Sequence, residues 1–562
     1  MSNSIKFFLI GTLLLGATLR LYNLGGPDIS GDDALYSFRA VDYIDYVASV
    51  NKQSTPITWF AEPEWWQKFS FHDAPPLVFL IQWIFFQIGG DNVWAAKLPF
   101  VLAGLLSIYF IFLLGKLLFN DWVGAAAGLA LAFANYPVWI SRIGFLDGFL
   151  VLWIILALYF FVKAREKPIN YLWWGIFSAL GILTKYTFLF TGPVFLIMLI
   201  IFQKEAWRKK WFYFGLVFIL ILLAPVIIYN VMMWKARGHL DAALSTLIGQ
   251  MPDDFRGLTR EVNLDLNIFS LAEKIGSNLS LGLQMLSLGG IALLAIKILK
   301  DKQNRRTYCL ISAGLLMALM TLALIGGSDH FGVIILPWIA LMIGNLAFWI
   351  WTNAKKWQLT ALVIVAILVF GWELFFTIQS QLMPAPIVEN KFFLDINRPS
   401  WSGYNQLEEY VKRFYQKNSY PNLIIFVQAP QLAQYQVDLI NSLPEETSEL
   451  PNQNHLLVFD DRMDWTPSVW IFERRRLYDI APIPSLTQLI AAVNKNGIEH
   501  FTQYGFKEAT FIMTTPITRT NTAVDHEILQ KFAKDLESKA KPIEEIRRPD
   551  GETAFKIYNL PI

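Results

Sequence analysis

The sequence predicts an α-helical polytopic membrane protein followed by a soluble α/β domain. Three observations carry that prediction. Of 562 residues, 54% are hydrophobic and 16% are charged, against about 25% charged in an ordinary soluble domain. Apolar runs long enough to cross a bilayer, about 20 residues each, recur as far as residue 378. Beyond that point the chain turns polar, and short strand-like runs alternate with amphipathic helical patterns.

The first span, 6–22, follows a short positive start and resembles a signal peptide. No small-residue cleavage site follows it, so it reads as a retained anchor with its N-terminus inside. Further spans are expected at 94–117, 122–140, 147–163, 170–184, 187–203, 211–231, 277–299, 307–325, 331–350 and 358–378, eleven in all. The stretch 75–89 is short and opens on Pro75-Pro76. It reads as an interfacial or re-entrant helix on the outer side.

Charge tests the scheme. The loops placed inside carry Lys163, Arg165 and Lys167, then Lys204, Arg208, Lys209 and Lys210, then Lys297, Lys300, Lys302, Arg305 and Arg306, then Lys355 and Lys356. The short outer turns carry little beyond Arg142 and Lys185. That asymmetry follows the positive-inside rule, and counting 75–89 as a span would destroy it. Two long outer segments result, 23–93 and 232–276. The second is charged and is expected to act as a lid.

A membrane domain is thus expected over 1–380 and an outer α/β domain over 385–562. Within the latter, strands are expected at 422–428, 455–459, 468–472 and 510–514, and helices at 404–416, 485–494 and 525–539. The net charge of +2 and the lack of a basic stripe argue against nucleic acid as a partner. Cys309, the single cysteine, cannot form an internal disulfide.

Chemistry is best sought in Ser30-Gly31-Asp32-Asp33-Ala34-Leu35-Tyr36, at the outer mouth of the membrane domain. An Asp ahead of a helix also serves as an N-cap, and one Asp can cap while the other reacts. The topology gathers other polar residues on the same face. They are His72 and Asp73, Arg142 and Asp147, Lys185 and Tyr186, and Asp329 and His330. Ionisable groups at a membrane interface are costly unless they pair or line a wet cavity, which makes them functional candidates. The plain alternative for each is a solvated or snorkelling side chain.

These residues carry a resemblance. Asp32-Asp33-Ala34-Leu35-Tyr36 resembles the acidic-pair motif of the GT-C glycosyltransferases, closest to the protein O-mannosyltransferase and aminoarabinose-transferase group. Phe71-His72-Asp73-Ala74-Pro75-Pro76-Leu77 is similar to that group's basic-residue-Pro-Pro-Leu segment. Trp94-Ala95-Ala96-Lys97-Leu98-Pro99, Arg142-x4-Asp147, Thr184-Lys185-Tyr186 and His330-x6-Pro337 match in order and spacing. The likeness covers about 1–350. It departs at Ala74, where a basic residue is usual, and at His330-Phe331-Gly332, which lacks the usual Arg-Tyr.

The resemblance implies a GT-C fold and a polyprenyl-phosphate-linked sugar, mannose or similar, as donor. The acceptor is a hydroxyl on a protein, lipid or glycan at the extracytoplasmic face of the cell membrane. Asp32 would be the base of an inverting transfer, with Asp33 beside it. Lys185 would face the lipid phosphate, with His72, Arg237 and Arg256 as further cations. Tyr36, Arg142, Asp147, Tyr186 and His330 complete the substrate-binding set. No cofactor is required, although Asp32, Asp33 and His72 could hold a divalent metal. The rival from another class is a transporter or flippase, which calls for broken helices in matching halves and charges at the bilayer midplane. A non-catalytic scaffold would leave the acidic pair and Lys185 unexplained.

Overall fold

A computed structural model describes residues 2–45, 55–60, 63–201, 203–256, 258, 276, 279–325, 329–395, 397–417, 455–479, 481–503, 505–515 and 526–562. It divides into two compact units. One joins Met1–Leu24 to Trp66–Pro399, and the other joins Gly25–Trp65 to Ser400–Ile562. Composition alone places the division at 380–385. The structure moves the segment with Asp32 out of the helical unit and into the one containing the C-terminal residues.

The first unit is helical. Among the described residues, seven helices are long and apolar enough to span a membrane: Asn3–Leu21, Val93–Leu118, Lys210–Arg237, Leu281–Lys300, Arg305–Ile325, Phe331–Asn353 and Trp357–Gln381. An eighth is a pair, Asp121–Phe133 and Asn135–Arg142, bent by 58°. The remaining three expected spans are shorter. Asp147–Lys163 has 17 residues, Asn170–Thr184 has 15, and Thr191–Ile201 has 11 behind the 3-10 turn Tyr186–Phe190. Asp147–Lys163 is buried almost all round. Neighbouring helices rather than lipid surround its polar end, so full bilayer length is not demanded of it. Leu77–Gly89 is a 13-residue helix, as the Pro pair suggests.

Two contacts set the frame around the site. Gly175 and Gly215 let Asn170–Thr184 meet Lys210–Arg237 backbone to backbone. A Cβ on Gly175 would lie 2.2 Å from the Gly215 carbonyl oxygen, the small-residue packing usual between membrane helices. The bend in the Asp121–Arg142 pair frees carbonyls, and Arg20 takes them. Its guanidinium donates to the oxygens of Ala132 and Leu131 at 2.8 and 2.7 Å.

The second unit holds a four-stranded sheet. Strands β1 (His455–Phe459), β2 (Glu508–Thr514), β3 (Glu544–Arg547) and β4 (Thr553–Pro561) lie in the order β1-β2-β4-β3. β1 and β2 are parallel, with Leu456 opposite Ala509, and both other pairings are antiparallel. Helices Leu486–Asn496 and His526–Lys539 contribute Leu486, Leu489, Leu529 and Leu536 to a core with Val458, Phe511 and Tyr558. The helix expected at 404–416 is Tyr404–Lys417.

One expected strand is corrected. Residues 468–472 form a short helix and then a π-turn, Trp465–Ser468 and Val469–Glu473. Asp464 starts it by accepting from the Thr466 amide. Val469, Trp470, Ile471 and Phe472 are all buried, and an apolar run of that length fits a strand or a buried helix equally well. The strand expected at 422–428 lies outside the described residues.

Candidate functional site

The first unit gathers a charged cluster from three places in the chain. Asp147 opens the Asp147–Lys163 helix, where a carboxylate complements the helix dipole. Lys185 follows the last turn of Asn170–Thr184 and leaves the helix in an extended conformation. Its Nζ donates to Asp147 Oδ1 and Oδ2 at 2.9 and 2.7 Å. His330 Nε2 lies 4.0 Å from Asp147 Oδ2. Aromatic rings wall the cluster. Lys185 Nζ is 4.2 Å from the Phe331 ring centre, and Phe145 meets His330 edge to face. Asp147 is buried, while the Lys185 side chain keeps 17% of its surface. A buried carboxylate so neutralised leaves one cation with an exposed side, fit to meet a second anion.

One residue further on, Tyr186 enters an adjoining network. Its hydroxyl donates to Asp241 Oδ2 at 2.6 Å, and Asn230 Nδ2 donates to the same oxygen at 2.8 Å. Asp241 is fully buried and caps Ala242–Leu247. Burial lifts its carboxyl above the ordinary range and the charge of Asp73 adds to this, against hydrogen bonds from Leu244, Tyr186 and Asn230. His72 is buried, and its carbonyl accepts from the Ala242 amide at 2.7 Å. His239 Nε2 lies 2.9 Å from Asp254 Oδ2, and both histidines contact Phe255. The first unit therefore brings together His72, Asp147, Lys185, Tyr186 and His330.

It does not bring in the three arginines. Arg142 donates to the carbonyl oxygens of Leu19, Arg20 and Tyr22 at 3.0, 2.9 and 2.9 Å, which ties off the end of the first helix. Arg256 is exposed and pairs with Asp253 beside it. Arg237 lies on the exposed last turn of Lys210–Arg237. That helix runs past residue 231, so the segment expected from 232 begins at Gly238. Its described part, 238–256, is folded around Asp241 and the His239–Asp254 pair. Residues 257 and 259–275 of the segment expected as a lid, 232–276, lie outside the described residues.

Asp32, Asp33 and Tyr36 belong to the second unit, on the helix Asp32–Val41. Its N-cap is Gly31, so neither Asp is the cap. Both occupy the first turn, where their charge favours the helix without closing a cap bond. They differ in surroundings. Asp33 is buried and accepts from Ser37 Oγ at 3.4 Å. Asp32 is half-buried. Among the described residues its carboxylate has no hydrogen-bond or ion-pair partner. Tyr36 lies under the Arg39 guanidinium, 5.4 Å away. The residues weighed for a metal, Asp32, Asp33 and His72, fall in different units. Among the described residues no group of three or more His, Cys, Asp or Glu side chains is placed to hold a metal ion.

Sequence reasoning missed Asp241, Asn230 and Arg20. Arg20 had a signal, since an arginine inside an apolar span needs partners. Asp241 and Asn230 had none, because only folding joins them to Tyr186.

Residues 73–229 match the family described as dolichyl-phosphate-mannose-protein mannosyltransferase. A 201-residue stretch is 27% identical to the putative mannosyltransferase YkcB of Bacillus subtilis, covering 34% of this chain and 27% of that protein. The chain thus spans about a quarter of that relative's length. The structure aligns with ArnT of Cupriavidus metallidurans bound to undecaprenyl phosphate, at a TM-score of 0.53 and 13% identity over 99% of this chain and 97% of that one. This chain has the GT-C glycosyltransferase fold. The archaeal oligosaccharyltransferase AglB of Archaeoglobus fulgidus, solved with an inhibitory peptide and a dolichol-phosphate, aligns at 0.52 and 12% identity, over 91% of this chain and 69% of that one. The resemblance read from the motifs is borne out in the family match and in the fold.

Proposed function

We propose that this protein transfers a sugar, mannose or similar, from a polyprenyl phosphate to an acceptor hydroxyl at the extracytoplasmic face, with inversion at the anomeric carbon. The observation that carries the proposal is the Asp147–Lys185 pair, inside the stretch that matches a mannosyltransferase family, with His330 from outside that stretch beside it. Lys185 meets the donor phosphate. As the bond from C1 to the phosphate oxygen breaks, that oxygen keeps the electron pair, and the ammonium stabilises the charge. Asp147 aims Lys185. The acceptor oxygen attacks C1 from the opposite face, and Asp32 takes its proton. The motif and the free, half-exposed carboxylate support Asp32 over the buried, engaged Asp33. The acceptor is a protein, a lipid or a glycan, and bilayer lipid surrounds the donor's tail.

The transporter reading gains little. The one bent helix pair among the described residues has no matching partner in another half. Purified protein incubated with a panel of labelled polyprenyl-phosphate sugars and membrane extract tests the proposal. Label appearing in an acceptor, with release of polyprenyl phosphate, is the expected result. No transfer from any donor, with donor moved across a vesicle bilayer instead, would replace it by the flippase reading.

A further inference from the structure

The helix that carries Asp32 is held by residues far along the chain, all within the second unit. Asp28 is buried and accepts from the Ser402 amide, the Asn405 amide and Ser400 Oγ at 2.6, 2.9 and 3.1 Å. Tyr478 donates its hydroxyl to the Phe38 carbonyl at 2.9 Å and stacks on the Phe38 ring. Phe38 and Ile44 share a core with Val469 and Leu477. These contacts fix the approach to the helix and its far end.

The first turn is fixed differently. Gly31 has φ +63°, a conformation that favours glycine, and no atom lies within 4 Å of where its Cβ would be. Among the described residues no side chain packs on it from that side. Its carbonyl, in the peptide that leads into Asp32, accepts from the Ala34 and Leu35 amides at 3.1 and 3.4 Å and closes the first turn. The Gly31 amide donates to Thr466 Oγ1 at 2.9 Å. Thr466 is itself placed by Asp464, whose Oδ1 accepts from the Thr466 amide at 3.2 Å and from its hydroxyl at 3.4 Å. The Asp464 amide in turn donates to Tyr404 Oη at 2.8 Å.

We propose that Thr466 is a positioning residue for Asp32: its hydroxyl, aimed by Asp464, anchors the Ser30–Gly31 peptide on the entry side of the N-cap, and so sets the placement of the first turn and the direction of the Asp32 carboxylate. This gives the C-terminal residues a part in turnover, and it rests on the reading of Asp32 as the base. A loss of alignment acts on the proton-transfer step. It leaves donor binding alone, because a base misplaced by a fraction of an ångström still permits the donor to bind.

The test uses the full chain in nanodiscs with labelled undecaprenyl-phosphate mannose and membrane extract. Thr466→Val keeps the shape and removes the acceptor. It should lower kcat on the order of tenfold with KM for the donor unchanged, and Thr466→Ser should restore most of the rate. Thr510→Val removes a comparable side-chain hydrogen bond within the sheet of the same unit and should leave kcat unaltered. The deciding arm is the double variant. In an Asp32→Asn background, Thr466→Val should cost nothing further, since the group it aims is already disabled. Multiplying losses would show that Thr466 acts otherwise than through Asp32 and would overturn the proposal. So would a Thr466→Val rate within about twofold of the parent, or an equal loss in Thr510→Val. If Thr466→Val fails to fold, the Thr466→Ser and Thr466→Ala pair carries the same comparison. A parent that transfers nothing from any donor would instead overturn the glycosyltransferase reading itself.

Discussion

Lys185 Nζ contacts both carboxylate oxygens of Asp147, at 2.9 and 2.7 Å, from one residue past the end of the neighbouring helix. Asp147 is buried, so removing the lysine strands a charge. Breaking such a pair from one side costs about 3–5 kcal/mol. Lys185→Ala should therefore lower thermal stability in detergent, weaken donor binding and slow transfer. The double variant Lys185→Met with Asp147→Asn should recover stability but not activity. Recovery of both would make the pair a structural device only. Donor titration and thermal unfolding on the same preparations separate these outcomes.

Asp32 lends itself to a cleaner change. Gly31 is the cap, so Asp32→Asn alters no capping bond, and a neutral amide in the first turn sacrifices only a small dipole interaction of about 0.3–1 kcal/mol. A positioned general base is worth roughly 10² to 10⁴ in rate. Transfer by Asp32→Asn should fall by that order, with donor affinity little changed. Asp33→Asn should act mainly on stability, because Asp33 is buried beside Ser37. Near-normal turnover in Asp32→Asn would remove it as the base, and loss in Asp33→Asn alone would move the role by one residue.

Hydropathy made most of the helical unit legible, because lipid demands long apolar runs whatever the fold. The motifs named Asp147, Lys185 and His330, and the alternation of inner and outer turns put them on one face. What stayed hidden depended on distant partners. Arg142 read as a binding residue because charge at an interface is conspicuous, yet its donors close the end of the first helix. Strand β4 carries a short apolar run broken by one lysine, Phe555-Lys556-Ile557-Tyr558, that sequence reading passed over, while β3 is only four residues long. Nothing local in Gly25–Trp65 announces that it folds with Ser400–Ile562. That grouping is made by Asp28, Thr466 and Tyr478.

Arg142 gives a prediction of the opposite kind. Hydrogen bonds from a charged donor to buried carbonyls are worth about 1.5–3 kcal/mol each when made, and leaving the acceptors bare is costly. Arg142→Leu should lower thermal stability markedly. The fraction that folds should retain donor affinity near the parent's. Arg142→Lys, with a single ammonium in place of a fork, should fall between the two. A folded, stable Arg142→Leu protein with weakened donor binding would return the residue to the binding set.

The grouping of Gly25–Trp65 with Ser400–Ile562 makes a topological prediction. Both segments should lie on one side of the membrane, and the positive-inside rule expects the lysines and arginines of 204–210 on the cytoplasmic side. Single cysteines replacing Glu64 and Lys541, introduced into a Cys309→Ala background, should react with a membrane-impermeant maleimide in intact cells made permeable only at the outer membrane. A cysteine replacing Lys209 should react only after lysis. The reverse pattern would invert the topology, and labelling of Glu64 and Lys541 positions from opposite sides would break the second unit apart.

Asp395 supplies a pH dependence. It is buried, and Asn135 Nδ2 and the Asn397 amide donate to its carboxylate. Burial pushes its pKa up to about 7, and the charges of Asp329 and Glu373 add to this, against the bonds from Asn397 and Asn135. In the unfolded chain it returns to its ordinary 3.8. Between those values the folded protein keeps a proton that the unfolded chain has released. Stability from this group is complete below the unfolded pKa and is lost as pH rises through about 7. The parent should therefore unfold at progressively lower temperature as pH rises across that window, after other titrations common to both proteins are subtracted. Asp395→Asn, neutral at every pH and still able to accept from Asn135, should lose that component of the slope. Thermal unfolding of parent and variant in the same detergent, from about pH 5 to pH 8, reads the difference directly. Parallel profiles would mean that Asp395 is ionised in the folded protein throughout, and the proton would have to be sought elsewhere.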